Sequence, residues 1–191
     1  MKVVFALLAN DIVENLACKI MLDAHRKGGL GLLSGRVPHH ISLKQPFSIT
    51  SFEDIEDYFE EFAATLKPIT VRLTTLEPWN TRIFGERTGA IVLKAEKTKE
   101  LMDLHIRLNK ELESRFGSSP ARFDGDAYSF HVTISMTDKT IEECQTVFDE
   151  LSSKELNMEV EFNKIGLIYI DGDEIRPDNY FCYKRLTFGK S

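Results

Sequence analysis

The sequence has 191 residues, of which 42% are hydrophobic and 28% are charged, so the chain is expected to be globular, neither disordered nor a coiled coil. Its 24 basic and 30 acidic residues give a formal net charge of −6. This balance excludes a protein that coats long nucleic acid through bulk charge, but it allows a small anionic ligand or an RNA end held in a locally basic region.

The first half of the chain is predicted to run strand, helix, histidine-bearing strand, helix, strand. Apolar runs, alternation and helix-capping residues define these elements. They are a buried strand at residues 3–8, a helix that Asp11 caps and Gly28-Gly29 ends, an alternating strand at 40–43, a helix that begins at Ser51 and is closed by Pro68, and a half-buried strand at 69–74.

The second half repeats this order and adds further strands. Its predicted elements are a strand at 91–93, a helix from Thr98 to Gly117, an alternating strand at 131–136, a helix opened by Thr140 and Glu143, and strands that run from Met158 toward Tyr169 and from Phe181 to Phe188. An Asp171-Gly172 turn signal separates the last two. Residues 78–89 are predicted to cross between the halves. The repeat favours two similar lobes about a pseudo-two-fold axis.

Each half carries one short motif that consists of a histidine, an apolar residue, a hydroxyl residue and an apolar residue. Residues 40–43 read His-Ile-Ser-Leu and residues 131–134 read His-Val-Thr-Ile. Because side chains alternate across a strand, His40 and Ser42 are predicted to share one face, and His131 and Thr133 likewise. A two-fold relation would bring these four groups together.

Two histidines and two hydroxyls match the needs of phosphodiester hydrolysis. With ordinary pKa values near 6.5, one imidazole can act as base while the other acts as acid at neutral pH. The hydroxyls can donate hydrogen bonds to phosphate oxygens. This chemistry requires no metal or other cofactor, and we expect none. The alternative interpretation is two edge-strand histidines that only bond to backbone.

The motifs and their surroundings resemble those of the 2H phosphoesterase superfamily, which includes 2′-5′ RNA ligase-like proteins and cyclic phosphodiesterases. The first motif is Pro38-His39-His40-Ile41-Ser42-Leu43-Lys44 followed by Pro46-Phe47, and the second is Tyr128-Ser129-Phe130-His131-Val132-Thr133-Ile134. The resemblance covers nearly the whole chain. Many relatives carry Pro before the second histidine and a basic residue after the motif, where this chain has Phe130 and Met136.

The resemblance implies an α+β fold with two pseudo-symmetric lobes of antiparallel sheet plus helices around a central cleft, within one domain spanning 1–191. It implies that His40 and His131 are the acid/base pair and that Ser42 and Thr133 bind phosphate. The implied activity is hydrolysis of a 2′,3′-cyclic phosphate or a related nucleotide or RNA-end phosphodiester, with 2′-5′ ligation as the reverse reaction. A nucleotide- or RNA-binding module without turnover is the alternative.

Other residues are weaker candidates for substrate contact. Alternation places Lys44 on the face of His40, where it could meet phosphate or be a solvated lysine at the rim, and Tyr128 could stack on a base. Phe130 is expected to be core and His39 to be structural. The predicted crossover holds an aromatic and basic cluster of Trp79, Arg82, Phe84 and Arg87, which could bind an RNA end or be ordinary surface residues.

The sequence also bears on the compartment and on partners. The longest apolar run near the start is far shorter than the roughly 20 residues of a spanning helix, so we expect no membrane association. The three cysteines, Cys18, Cys144 and Cys182, form neither a metal spacing nor a disulfide framework, which favours a reducing, cytoplasmic location. We expect a monomer whose partner is its nucleotide or RNA-end substrate.

Overall fold

The computed structural model describes residues 1–81, 88–121, 123–152, 156–173, 175–176 and 178–189. Arg82, Phe84 and Arg87 lie outside the described residues. The strands are β1 (Lys2–Leu8), β2 (His40–Ser42), β3 (Phe47–Ser48), β4 (Ile69–Thr81), β5 (Thr88–Ala95), β6 (His131–Met136), β7 (Met158–Phe162), β8 (Lys164–Ile170) and β9 (Tyr180–Thr187). The helices are α1 (Asp11–Gly28), α2 (Phe52–Ala64), α3 (Lys99–Phe116) and α4 (Ile141–Ser152), with a 3-10 turn at Leu33–Arg36. This mixed α+β architecture with a large antiparallel sheet confirms the predicted fold class.

Helix α1 begins one residue earlier than predicted. The cap is Asn10, whose side-chain oxygen accepts hydrogen bonds from the N–H groups of Ile12 and Val13 at 3.1 Å each. Asp11 is instead the first helical residue, where its charge suits the positive end of the helix dipole. The predicted end is confirmed, because Gly29 adopts the left-handed conformation that favours glycine, with φ 66°.

The other predicted helix starts are confirmed by their caps. The Ser51 hydroxyl accepts from the N–H of Asp54, and that of Thr98 accepts from the N–H of Leu101. Thr140 and Glu143 form a reciprocal capping box at α4. Among the helices of the described residues, none is both long and apolar enough to cross a membrane.

The strands form one sheet in the order β7-β4-β5-β6-β2-β1-β8-β9, with β3 paired to β1 beside this path. All of these neighbours are antiparallel. The two histidine-bearing strands, β2 and β6, lie at the centre, with three strands outward from each. Each half of the sheet therefore contains strands from both halves of the sequence, because β4 joins β5 and β8 joins β1.

The predicted crossover at residues 78–89 is wrong. Residues 78–81 and 88–89 belong to β4 and β5, which pair with each other antiparallel, for example Trp79 with Ala90. Both strands lie in the half of the sheet that holds β6. The chain passes between halves earlier, between α2 and β4. Alternation past residue 74 is interrupted by a register shift between Leu73 and Leu76, which conceals the length of β4 in the sequence.

One face of the sheet packs against all four helices. The buried residues of this face and of the helices form one hydrophobic cluster, which includes Phe5 of β1 and its ring contacts with Phe59 and Phe62 of α2. Ile41 and Val132, the second residues of the two motifs, belong to this cluster and are fully buried. Burial of Ile41 and Val132 in the core directs the residues on either side of each to the opposite face of the sheet, which we call the site face.

We expect Phe59→Ala to lower the free energy of unfolding by about 3–5 kcal/mol, because the side chain is fully buried and its removal leaves a cavity. Phe181→Ala is the matched control, since Phe181 is 51% exposed, and should cost less than about 1 kcal/mol. Urea unfolding of both variants checks the prediction. Equal losses would show that the face of α2 has been assigned incorrectly.

Candidate active site

The two motif strands are direct neighbours in the sheet. Ile41 of β2 pairs with Val132 of β6 in an antiparallel register. In such a pair, residues on either side of a core-facing position project to the other face, and directly opposed residues have Cβ atoms about 4.5–5.5 Å apart. The register places His40 opposite Thr133 and Ser42 opposite His131.

The structure therefore brings four of the six sequence-predicted site residues together on the site face. They are half-buried, whereas the residues between them are buried in the core. The four are His40, Ser42, His131 and Thr133. Each imidazole lies across from the hydroxyl of the other motif, so the arrangement repeats about the local two-fold between the strands.

The two imidazoles are held in the same way. Nδ1 of His40 lies 2.8 Å from the carbonyl oxygen of Pro38, and Nδ1 of His131 lies 3.0 Å from that of Ser129. A carbonyl oxygen only accepts, so Nδ1 carries the proton in both rings. The neutral rings consequently present Nε2 as the nitrogen that can take up or release a proton.

Both histidines favour the neutral form in the unliganded protein. Burial lowers the pKa of His40 to about 4; its bond to the Pro38 carbonyl opposes this, and the charge of nearby His131 adds to it. Burial also lowers the pKa of His131 from its ordinary value, again opposed by its backbone hydrogen bond, here to Ser129. A bound anion would favour the charged forms, because an opposite charge stabilises an imidazolium.

A second group of polar residues lies beside His131. Lys94 of β5 is paired directly with His131, and its ammonium donates to the Glu77 carboxylate at 3.1 Å. Trp79 donates from Nε1 to the same carboxylate at 3.3 Å, and its ring centroid is 4.2 Å from that of His131. Of this group, sequence reasoning considered only Trp79. The signal for Lys94 was its place as the one charged residue in the otherwise apolar stretch from Ala90 to Ala95.

Lys44 does not join the site, which corrects the sequence-based prediction. Strand β2 ends at Ser42, so alternation no longer governs Lys44. Its side chain is only 1% exposed and its ammonium lies 2.5 Å from the Asp124 carboxylate, with a further hydrogen bond to Asn109. The charge is therefore neutralised inside the protein, in the wall of a cavity of about 310 Å³ beside α3.

Tyr128 is likewise not placed to stack on a substrate base. It is 2% exposed, its ring stacks on that of His105 at 4.1 Å, and its hydroxyl donates to the Ser42 carbonyl at 2.9 Å. Nδ1 of His105 donates in turn to the Leu43 carbonyl at 2.6 Å. Tyr128 and His105 therefore fix the backbone at the end of the first motif. Phe130 is buried in the core, as predicted.

His39 points away from its neighbour His40, as predicted, and is buried. Its backbone N–H and its Nδ1 both donate to the Glu14 carboxylate at 2.9 Å. With Cys18, these residues place three metal-ligating atoms within 4.8 Å of one another. The carboxylate is already engaged by two donors, so the group is explained as a hydrogen-bonded brace for the start of β2.

The four central groups can carry out acid/base chemistry on an anionic substrate. Two Nε2 atoms on one face can remove a proton at one side of a bound atom and deliver one at the other. The hydroxyls of Ser42 and Thr133 can donate to oxygens between them. The ammonium of Lys94 adds a cation that the second motif itself lacks.

Comparison with known protein families gives a match over most of the chain. The family model described as the 2′-5′ RNA ligase superfamily matches residues 19–174. A Bacillus licheniformis protein named "Putative phosphoesterase" is 26% identical over 137 residues, which cover 70% of this chain and 72% of that protein. The family match includes both motifs by position.

Solved structures share the fold at low sequence identity. TT0787 of Thermus thermophilus superposes with a TM-score of 0.66 and 15% identity, covering 99% of this chain and 98% of its own. Escherichia coli LigT complexed with 3′-AMP has a TM-score of 0.52, 14% identity and the same coverage. Kluyveromyces marxianus Usb1 has a TM-score of 0.51 and 11% identity, covering 87% of this chain and 92% of its own.

We expect Lys44→Met to lower the free energy of unfolding by about 3–5 kcal/mol, because it leaves the partly buried Asp124 carboxylate without its cation. Adding Asp124→Leu should recover part of this loss, since the double variant has no unpaired charge. Lys99→Met, which breaks an exposed ion pair with Asp103, is the control and should change stability little. Denaturant unfolding of the wild type, Lys44→Met, Asp124→Leu and the double variant measures the coupling between the two residues, and strictly additive losses would contradict it.

Proposed function

The chain belongs to the 2′-5′ RNA ligase superfamily, and from this premise we propose that it is a phosphoesterase that hydrolyses a 2′,3′-cyclic phosphate of a nucleotide or an RNA end. The observation that carries the proposal is the pairing of β2 with β6. It sets two imidazoles with the same tautomer and two hydroxyls on one face. That set supplies the acid, the base and the phosphate ligands of such a reaction.

In the proposed reaction one neutral imidazole removes a proton from water through Nε2. The water oxygen forms a bond to phosphorus while the bond from phosphorus to one ribose oxygen breaks. The other imidazole, protonated on Nε2, delivers its proton to that leaving oxygen. The product is a nucleoside monophosphate, and the two histidines end with their protonation states exchanged.

The hydroxyls of Ser42 and Thr133 would donate to the non-bridging oxygens, where negative charge builds in the transition state. Together with an imidazolium they provide the charge stabilisation that a metal supplies in many phosphoesterases, so we propose a metal-independent reaction. If the 5′-hydroxyl of a second RNA took the place of water, the same steps would form a bond from that oxygen to phosphorus while the bond from phosphorus to the 3′ oxygen breaks, which is 2′-5′ ligation. The complexes of LigT with 3′-AMP and of Usb1 with uridine monophosphate support a nucleotide as the ligand.

The test is turnover of nucleoside 2′,3′-cyclic phosphates. His40→Ala and His131→Ala should each reduce kcat by about 10²–10⁴-fold, the usual contribution of one acid or base, with little change in melting temperature. His25→Ala is the control, because His25 lies at the end of α1 and bonds to the Leu30 carbonyl. It should retain full activity.

The same assay, run with EDTA, separates the proposal from its alternatives. Activity that persists in chelator supports acid/base catalysis by the histidines. A rate that EDTA abolishes and a divalent metal restores would make the histidines ligands instead. Nucleotide binding without any turnover would identify a binding module.

The structure predicts a bell-shaped pH profile of kcat/KM with its maximum below pH 6.5. The base must be neutral and the acid charged, and burial lowers the pKa of both histidines, that of His40 to about 4. This lies below the pH 6–7 expected from ordinary histidines. Bound phosphate stabilises the imidazolium, so the maximum of kcat should lie at higher pH than that of kcat/KM. A kcat/KM that rises to a plateau above pH 7.5 would contradict the assignment.

A further inference from the structure

The two halves of the site are alike at the motifs but differ in the strands beside them. Leu8 of β1 is paired with His40, whereas Lys94 of β5 is paired with His131. These two positions are equivalent, because β1 borders β2 as β5 borders β6. An apolar side chain in one half thus corresponds to an ammonium in the other.

The difference continues one strand further out. Gly166 of β8 pairs with Ala6, and its counterpart in β4 is Glu77, which pairs with Val92. Two residues further along these strands, Trp79 of β4 corresponds to Ile168 of β8. The second half of the site face therefore carries Glu77, Trp79 and Lys94, which we call the polar wall.

The polar wall is available to a ligand. Its three side chains are half-buried, and hydrogen bonds to the Glu77 carboxylate hold both the Trp79 indole and the Lys94 ammonium. The indole lies against His131, with ring centroids 4.2 Å apart and planes inclined at 51°. An aromatic surface and a cation thus adjoin one imidazole.

The equivalent region beside His40 is already filled by the protein. Ile168 is buried in a small apolar cluster with Val4, Ala6, Val37 and Ile170. The space above Gly166 is occupied by Leu8, whose Cδ2 would be 2.7 Å from a Cβ at that glycine. Leu8, Gly166 and Ile168 themselves carry no aromatic ring or charge, and the ring of Tyr180, which packs against this cluster, is held by a hydrogen bond from its hydroxyl to the Leu33 carbonyl at 3.0 Å.

We propose that the nucleoside of the substrate binds on the polar wall, with its base on Trp79 and its phosphate within reach of Lys94. This inference rests on the proposed function and adds the orientation of the substrate. Stacking of a base on an aromatic side chain contributes about 1–3 kcal/mol, and every base has the aromatic face that it requires. The apolar side of the site is left for water.

The orientation assigns the two histidines. The attacking water and the leaving ribose oxygen lie on opposite sides of phosphorus, and the ribose is on the side of His131. His131 therefore protonates the leaving oxygen as the bond from phosphorus to that oxygen breaks. His40 removes the proton from water as the new bond from oxygen to phosphorus forms.

A substrate with sulfur in place of the leaving ribose oxygen tests this assignment, because a thiolate leaves without protonation. With a nucleoside cyclic phosphorothiolate, His131→Ala should lose less than about tenfold in rate, against about 10²–10⁴-fold with the oxygen substrate. His40→Ala should be impaired equally with both. Rescue of His40→Ala instead would overturn the orientation while leaving the proposed function intact.

The position of the base is tested without turnover, since Trp79 is the only tryptophan in the chain. Uridine 3′-monophosphate should quench the tryptophan fluorescence, whereas ribose 3-phosphate should not. In kinetics, Trp79→Ala should raise KM about tenfold or more for a nucleoside cyclic phosphate and leave it unchanged for 1-O-methylribose 2,3-cyclic phosphate, and Trp79→Phe should restore most of the loss.

Equal KM effects on the two substrates, or equal quenching by the two phosphates, would overturn the stacking.

Lys94→Gln should weaken inhibition by inorganic phosphate, and Lys94→Arg should preserve it. Lys19→Gln, on an exposed position of α1, is the matched control and should have no effect. Unchanged inhibition by phosphate in Lys94→Gln would show that Lys94 does not contact the bound phosphate. A protein that shows base-dependent quenching but no turnover would refute the proposed function and keep the location of the base.

Discussion

The candidate site depends on the antiparallel pairing of two short strands, β2 and β6, at the centre of the sheet. Ile41 and Val132 face each other across this pair and are buried in the helix-covered core. Because strand side chains alternate, burying these two residues turns both histidines and both hydroxyls to the other face. A slip of one residue would exchange the two faces, so the hydrophobic core itself maintains the site.

Hydrogen bonds and an ion pair hold the groups around this strand pair in place. Backbone carbonyls two residues upstream fix the tautomer of each imidazole. Behind the first motif, Tyr128 and His105 donate to consecutive backbone carbonyls, while the buried Lys44 ammonium pairs with the partly buried Asp124 carboxylate. Placing charged and polar groups in the interior is costly unless they are paired, and here each one constrains the backbone that carries the site.

The near-symmetry of the scaffold contrasts with the asymmetry of its lining. Strand β4 comes from the first half of the sequence but pairs beside β5, and β8 comes from the second half but pairs beside β1. Each histidine-bearing strand therefore has an equivalent set of neighbouring strands. The side chains on those strands differ: Lys94 faces His131, whereas Leu8 faces His40. The proposed phosphodiester substrate is itself asymmetric, because in the proposed reaction water lies on one side of phosphorus and the nucleoside on the other. A lining with one polar and one apolar half can bind it in a single direction.

Local patterns were sufficient to predict most elements and the four central residues. Caps such as Ser51 and Thr98 and the alternation around Ile41 and Val132 depend on neighbours within a few residues, so the sequence alone determines them. Contacts between residues that are distant in the sequence cannot be predicted from local patterns. Alternation predicts Lys44 on the face of His40, but β2 ends at Ser42 and the Lys44 ammonium pairs with Asp124 inside the protein. Lys94 and Glu77 meet Trp79 and His131 only through the registers of β4, β5 and β6, which long-range packing sets. Local sequence patterns thus indicate which residues carry groups suited to acid/base chemistry, whereas long-range packing brings some of these residues together and separates others.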